Sequence, residues 1–199
     1  MKHIYRARAE AERIYQMVYK DEGDEFQKIA NELSDLLITT WDQRSREAIE
    51  EFIRAVRGSD KFSEGDLNQM LNGLRMQLGE RFADDVAQSV LEVNATAYEK
   101  GLSRIIDVGA SFQLVDIDAL KWLDDHQIFW VKNYFDRQLA SEVSQVGQQA
   151  IRDGLNRSEA ADLFKTQFQD KFDVASFRYW DGFANHVTTR AREFGRVDA

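Results

Sequence analysis

The chain has 199 residues, of which 43% are hydrophobic and 31% are charged, and its formal net charge at pH 7 is −9. A single domain of this size buries roughly 70% of the surface that its unfolded chain exposes, which allows one good core or two small ones. The negative charge argues against the broad phosphate-neutralising surface of a nucleic-acid-binding protein, and the absence of cysteine excludes disulfides and thiolate metal sites.

Proline is also absent from the sequence. Because proline breaks helix interiors and starts many turns, its absence favours long helices over a loop-rich β-sandwich. No apolar run approaches the length of a membrane span, and no signal-peptide core is present. We therefore expect a soluble protein that has no membrane partner and is made in a reducing cytoplasm.

The first predicted element covers residues 3–20. Residues 1–20 carry five cations against two acids, a local charge of +3, with tyrosines between them. This pattern favours a docked terminal helix, and a partly disordered arm is the alternative. Asp24 follows and is a candidate cap for the next helix.

Residues 25–57 show the clearest helical spacing of apolar side chains. The stripe consists of Phe26, Ile29, Leu33, Leu36, Leu37, Trp41, Ile49, Phe52, Ile53 and Val56. It lapses between Gln43 and Glu47, which predicts a bend or a split there. Acids and arginines on the other side of the helix are typical of a solvated face.

Ser63 and Asp66 form a near match to a capping box and predict a helix from 64 to about 78. Gly79 either ends that helix or weakens it. Apolar positions from Phe82 onward predict another helix towards Gly101 and Ile106.

Segment 107–117 loses the helical period and contains Gly109 and a short β-branched alternation. It is either a linker or a small strand. The predicted fold is therefore mainly α, a multi-helix bundle with a helical N-terminal region at 1–106, a linker at 107–117 and a second helical region at 118–199.

The second region begins with a predicted short helix around Ala119–Leu123, followed by a helix over 126–153 that ends at Gly154. Ser158 is the predicted cap of the next helix, and the last helix is expected to pack after Asp173.

That last helix places apolar residues on one face at steps of three and four. They are Phe177, Trp180, Ala184, Val187, Ala191 and Phe194. Gly195 is the predicted helix stop. Three arginines at the end, Arg190, Arg192 and Arg196, either complement the helix dipole or grip phosphate or an acidic partner.

Motifs for catalysis are missing from the sequence: there is no phosphate-binding loop, no dinucleotide fingerprint and no nucleophile elbow. A di-metal helical core needs Glu-x-x-His on two helices, which does not occur. We therefore expect no catalytic residue, no cofactor and no metal site.

Two polar groups admit a second interpretation. Asp124-Asp125-His126 is either a metal corner or an acid–base pair or, as we expect, a helix cap at Asp124 or Asp125 beside a surface histidine. His186, near Thr188 and Thr189, either forms a polar site or faces solvent. The four tryptophans favour core packing, with a partner anchor as the alternative.

From about Asp124 to Val197 the chain resembles the phage Mu-type head morphogenesis proteins, also called minor head or minor capsid proteins. Three pieces carry the resemblance: Ile128-Phe-Trp-Val-Lys-Asn, the glycine–serine joint at 151–164, and Tyr179-Trp-Asp-Gly-Phe-Ala-Asn-His-Val-Thr-Thr-Arg-Ala-Arg-Glu-Phe-Gly-Arg-Val. The third piece is the most specific.

The resemblance implies a structural protein that binds the phage portal during procapsid assembly, together with other capsid components. It implies a location in the virion, inside the capsid near the portal vertex, after synthesis in the bacterial cytoplasm, with departure alongside the DNA in several members. The residues matching the family segment are Trp180, Thr189, Arg190, Arg192, Phe194, Gly195 and Arg196. Of these, the three arginines are the docking candidates.

Members of that family usually continue past this segment, whereas this sequence ends at Ala199. It is therefore either a short member or a shortened chain, and nothing attributed to the missing part carries over. For the minor head protein, contact with packaged DNA is a further expectation. Two other functions stay open: a helical leader that delivers a toxin or enzyme domain, and a DNA-binding module that uses the basic leader and the arginines.

Overall fold

The computed structural model describes residues 22–106 and 117–197, and these are helical apart from the connections at 57–63 and 153–156. The helices are α1 (Glu22–Val56), α2 (Glu64–Arg75), α3 (Phe82–Ile106), α4 (Ile117–Tyr134), α5 (Ala140–Arg152) and α6 (Arg157–Val197), with π-helical segments at Met76–Arg81 and Phe135–Leu139. The mainly-α, multi-helix prediction is confirmed. The predicted helix at 3–20 and residues 107–116 of the predicted linker or strand lie outside the described residues.

Helix α1 runs without interruption from Glu22 to Val56, so a split at 43–47 is wrong, and the alternative of a bend there stays a prediction. Two residues that are not strongly apolar continue the buried face through this stretch, because Ser45 and Ala48 are only 1% and 4% exposed. The Ser45 hydroxyl donates a hydrogen bond to the carbonyl oxygen of Asp42 over 3.0 Å, which satisfies its polar group inside the core.

The chain does not leave the helix at Gly79. Residues Met76–Arg81 widen into a π-helical segment that passes directly into α3. The short helix predicted at Ala119–Leu123 and the long one at 126–153 are likewise replaced by α4, a π-helical segment and α5. Because the α-helices and π-helical segments follow each other directly, the chain stays helical where the sequence predicted an end.

The described connections at 57–63 and 153–156 confirm the predicted start of one helix and the predicted end of another. Ser63 and Asp66 form the predicted capping box at the start of α2, and Gly154 ends the preceding helix with a φ of 67°. The cap of α6 is Asn156 rather than Ser158. The Asn156 side chain accepts from the backbone N–H of Glu159 over 2.9 Å, and the Glu159 carboxylate accepts from the Asn156 N–H over 2.8 Å.

Helix α6 is continuous through Asp173, so the separate last helix predicted after that residue is wrong. Its predicted apolar face is confirmed in the described side chains, since Trp180, Ala184, Val187 and Ala191 are fully buried.

The fold divides into two compact units. Among the described residues, unit 1 comprises 22–34, 89–106, 117–125 and 181–197, and unit 2 comprises 35–88 and 126–180. Both units take residues from before and after the predicted linker at 107–117, and the division into 1–106 and 118–199 stays a prediction.

Unit 1 has a core of small and medium side chains. Phe26, Ala97, Leu123 and Ala191 are buried together, and Leu120 and Phe194 pack against them. These residues come from α1, α3, α4 and α6, so four helical segments surround one small core.

Unit 2 has a larger, aromatic core. The rings of Trp41, Phe82, Tyr134 and Trp180 form one buried cluster, with centroids 4.7–5.6 Å apart in five pairs. Edge-to-face and tilted pairs of this kind add to the stabilisation from burial.

The two helix connections of unit 2 are hydrogen-bonded to each other. The N–H of Phe62 donates to the Leu155 carbonyl over 3.0 Å, and the N–H of Arg157 donates to the Asp60 carbonyl over 2.8 Å. Asp66 lies beside this contact and accepts from the Arg157 guanidinium over 2.8 Å. The capping box of α2 is therefore also a tertiary contact with the start of α6.

Candidate partner-binding surface

The residues predicted from the sequence to bind a partner do not share one environment. Trp180 belongs to unit 2, where it is fully buried against Trp41, Phe82 and Tyr134. The core-packing interpretation of this tryptophan is therefore confirmed, and its ring offers no surface to a partner. The other matching residues, Thr189 to Arg196, lie in unit 1 near the end of α6.

Gly195 is not a helix stop, because α6 continues through it to Val197. It is buried, and a Cβ added there would overlap the carbonyl oxygen of Tyr98 in α3. A Cβ added at Gly101 would overlap the carbonyl oxygen of Arg192 in the same way. The backbones of α3 and α6 thus meet through two glycines.

Alanine precedes each of these glycines by four residues, at Ala97 in α3 and at Ala191 in α6, and both alanines are fully buried. Small residues at this spacing line one helix face and allow two backbones to approach closely. This pair of motifs is visible in the sequence, and it was the signal that could have assigned Gly195 to packing.

Arg192 and Arg196 are paired within unit 1. Arg192 lies 3.0 Å from the Glu193 carboxylate and Arg196 lies 2.9 Å from it. The guanidinium of Arg192 also lies 5.1 Å from the ring centre of Phe26. The side chain of Arg196 is only 8% exposed, so these two arginines stabilise the end of α6 and present little charge to a partner.

Arg190 has a different setting. Its guanidinium lies 5.2 Å from the ring centre of Trp122, and the Trp122 ring is stacked on Phe194 with centroids 5.7 Å apart and planes at 16°. Trp122 is 47% exposed. We call these three residues the Trp122 surface. It joins a cation to a large, half-exposed aromatic group, a combination that often carries binding energy in protein interfaces.

Thr189 is exposed and precedes Arg190 in the chain. Two polar residues before it donate hydrogen bonds to backbone carbonyls of the same helix. The hydroxyl of Thr188, which is buried, donates to the Ala184 carbonyl over 2.9 Å. The Asn185 amide donates to the Asp181 carbonyl over 2.9 Å. His186 is exposed, as the interpretation of a solvent-facing histidine predicts.

The Asp124-Asp125-His126 sequence is not a helix start, so the predicted cap is wrong. Helix α4 begins at Ile117 and passes through all three residues. In unit 1, the Asn94 amide donates to the Asp124 carboxylate over 2.5 Å. Burial raises the pKa of Asp124 above its ordinary value, the Asp125 charge adds to this, and the hydrogen bond from Asn94 offsets only part of it.

In unit 2, the indole N–H of Trp130 donates to Nε2 of His126 over 3.1 Å. Within the described part of the chain, no group of three or more His, Asp or Glu side chains is arranged to hold a metal ion. No helix among the described residues has both the length and the apolar character needed to cross a bilayer.

Sequence reasoning missed how the Trp122 surface is assembled. Trp122 and Phe194 are far apart in the chain, and neither has a local pattern that indicates the other.

A comparison of the chain with protein-family models, with curated proteins and with solved structures finds no match.

Proposed function

We propose that this chain is a phage minor head protein that binds the portal during procapsid assembly and acts by association rather than by catalysis. The family resemblance of segment 179–197 supplies the class of function. The observation that carries the proposal is the Trp122 surface, because Arg190 and Phe194 of that segment form it together with Trp122.

The chemistry of the surface indicates the kind of patch it recognises. A guanidinium held over an indole keeps its charge available to a carboxylate, while the half-exposed ring supplies apolar area. An acidic portal surface with an apolar centre fits this arrangement. The proposal places the protein inside the capsid near the portal vertex, with the portal and neighbouring capsid components as partners.

The test is co-sedimentation of the full chain with the portal protein of the same phage at about 150 mM salt, where the Debye length is about 8 Å. We expect the wild-type chain to associate. Arg190→Glu and Trp122→Ala should each weaken association by about 30-fold, the effect of losing an interface residue that contributes about 2 kcal/mol.

Lys28→Gln is the matched control, because Lys28 is an exposed cation of unit 1 whose side chain is 76% accessible and lies outside the Trp122 surface. It should bind like the wild type. The proposal fails if the wild-type chain does not associate with the portal, or if Arg190→Glu binds as tightly as Lys28→Gln. Circular dichroism of each variant confirms that the helices are intact.

A further inference from the structure

A groove lies in unit 2 between α1 and α6, and it has a volume of about 430 Å³. Ile49 and Ile53 of α1 contribute its apolar part, and both are only partly buried by the rest of the molecule. Apart from Lys165, the lining residues run from Ser45 in α1 to Arg57, the first residue after it, which corresponds to about three helical turns or 18 Å. The groove is therefore long and open rather than a closed cavity.

The edges of this groove are cationic, although the whole chain carries a net charge of −9. Arg54 lies in the last turn of α1, Arg57 directly follows that helix, and Lys165 lies on α6. Among the described residues that line the groove, the one acid is Glu50. Arg46 also lines it, but its charge is already paired with Asp42 at 3.0 Å.

Complementation of the helix dipole explains only part of this charge. Arg54 is in the last turn of α1, where a cation is favoured. Lys165 lies in α6, past the first two turns of that helix and far from its C-terminus. The helix dipole does not favour a cation at such a position. Lys165 therefore adds a positive charge to the groove beside Arg54 and Arg57 that the helix dipole does not account for.

We propose that the groove binds an acidic amphipathic helix of a partner protein. Leucine-type side chains at spacings of three and four would pack on Ile49 and Ile53, and flanking Glu or Asp side chains would meet Arg54, Arg57 and Lys165. This inference is independent of the function proposed above, because it concerns another surface and another unit. A concave groove fits a rod-like helix better than a flat lipid surface.

The probe is a fluorescein-labelled peptide of about 16 residues, a little over four helical turns, with leucines on one face and glutamates on the other. The matched peptide has lysine in place of every glutamate. Fluorescence anisotropy with the full chain should show binding of the glutamate peptide and at least about 10-fold weaker binding of the lysine peptide. The difference should shrink when salt rises from about 50 to about 300 mM.

Two variants locate the binding. Lys165→Glu combined with Arg57→Gln should lower affinity for the glutamate peptide at least about 10-fold. Arg81→Gln, an exposed cation of unit 2 outside the groove, should leave it unchanged. Both variants change side chains that have no part in the aromatic core, and circular dichroism verifies their folding.

Three results would overturn the proposal. The first is equal affinity for the two peptides, and the second is binding that Lys165→Glu/Arg57→Gln leaves intact. The third is binding of anionic phospholipid vesicles or of dodecanoate, in place of the peptide, that is lost in the same double variant. That result would assign the groove to a lipid surface or to a small amphiphile.

Discussion

The helix contacts that stand out in unit 1 and in unit 2 are of different kinds. In unit 1, α3 and α6 meet backbone to backbone through Gly101 and Gly195, with Ala97 and Ala191 beside them. In unit 2, four large buried rings fill the space between helices. Where two backbones meet at glycines, an added side-chain atom destabilises the fold because there is no space for it. Where aromatic rings fill the core, loss of a ring destabilises the fold because it leaves a cavity.

The two units also differ in how they hold a carboxylate. In unit 2, burial by itself raises the pKa of Asp66, but hydrogen bonds from Ser63 and Arg157 outweigh it and the pKa lies below its ordinary value. In unit 1, burial dominates at Asp124 and its pKa lies above the ordinary value. Acid should therefore act in opposite directions at these two residues.

The largest expected effect is loss of a ring from unit 2. Trp180→Ala should lower the free energy of unfolding by about 3–5 kcal/mol, because it removes a fully buried ring and leaves a cavity among three others. Urea unfolding followed by circular dichroism measures this. Trp122→Ala is the matched control in unit 1, since that ring is 47% exposed, and it should cost less than about 1.5 kcal/mol. Equal losses for the two variants would contradict the comparison.

The next effect comes from adding one methyl group to unit 1. Gly195→Ala and Gly101→Ala should each destabilise the fold by about 1–3 kcal/mol, because the new Cβ overlaps a backbone carbonyl that cannot move away without shifting its helix.

Gly182→Ala, in the same helix, is the control for that pair. A Cβ at Gly182 meets nothing within 4 Å, so the change should stabilise by about 0.5–1 kcal/mol through helix propensity alone. The opposite signs at Gly195 and Gly182 are the result to look for in urea unfolding. A gain in stability at Gly195 would show that the two backbones do not meet there.

Asp66→Asn tests the carboxylate of unit 2. At pH 7 the substitution should lower the free energy of unfolding by about 1–2 kcal/mol, which is at most the contribution of one hydrogen bond to a charged group. The charged form contributes its stability above the ordinary aspartate pKa of about 3.9, and this is lost as the pH falls through the lower folded pKa. The free energies of unfolding of wild type and variant should therefore converge as the pH falls through that lowered pKa.

Asp124→Asn tests the carboxylate of unit 1 and has the smallest expected effect. Because the folded pKa is raised, the buried charge carries a penalty at neutral pH, and the penalty is relieved as the pH falls through that pKa. The variant should be more stable than the wild type at pH 7 by up to about 1 kcal/mol. The difference should vanish near pH 4, below which both side chains are neutral. A loss of stability at pH 7 would mean that the bond from Asn94 outweighs burial.

Local patterns in the sequence were sufficient for several parts of the fold. The capping box at Ser63 and the turn at Gly154 depend on residues within one helical turn of each other, so their spacing predicted them. The buried face of α6 followed from periodicity in the same way. The cap at Asn156 is also local, since Asn-x-x-Glu fits a capping box, so the prediction of Ser158 is wrong although the signal lies in the sequence.

The site was much less predictable. Arg190 and Phe194 were named from the segment that resembles the family, and the structure places both against Trp122. Trp180, named with them, lies in the core of unit 2. Arg192 and Arg196 share the carboxylate of Glu193, which lies between them in the sequence. Charge in a sequence does not show whether it is already paired.

By itself the sequence determined that this protein is helical, where two of its connections turn and which faces of its helices are apolar, because these properties arise between residues a few positions apart. Only the tertiary structure decided that Gly195 is a packing contact rather than a helix end, that α6 continues past Asp173 and that one arginine of three stacks on a half-exposed tryptophan. Those outcomes depend on which distant backbone or ring lies opposite each residue. Helical periodicity carries no information about that partner.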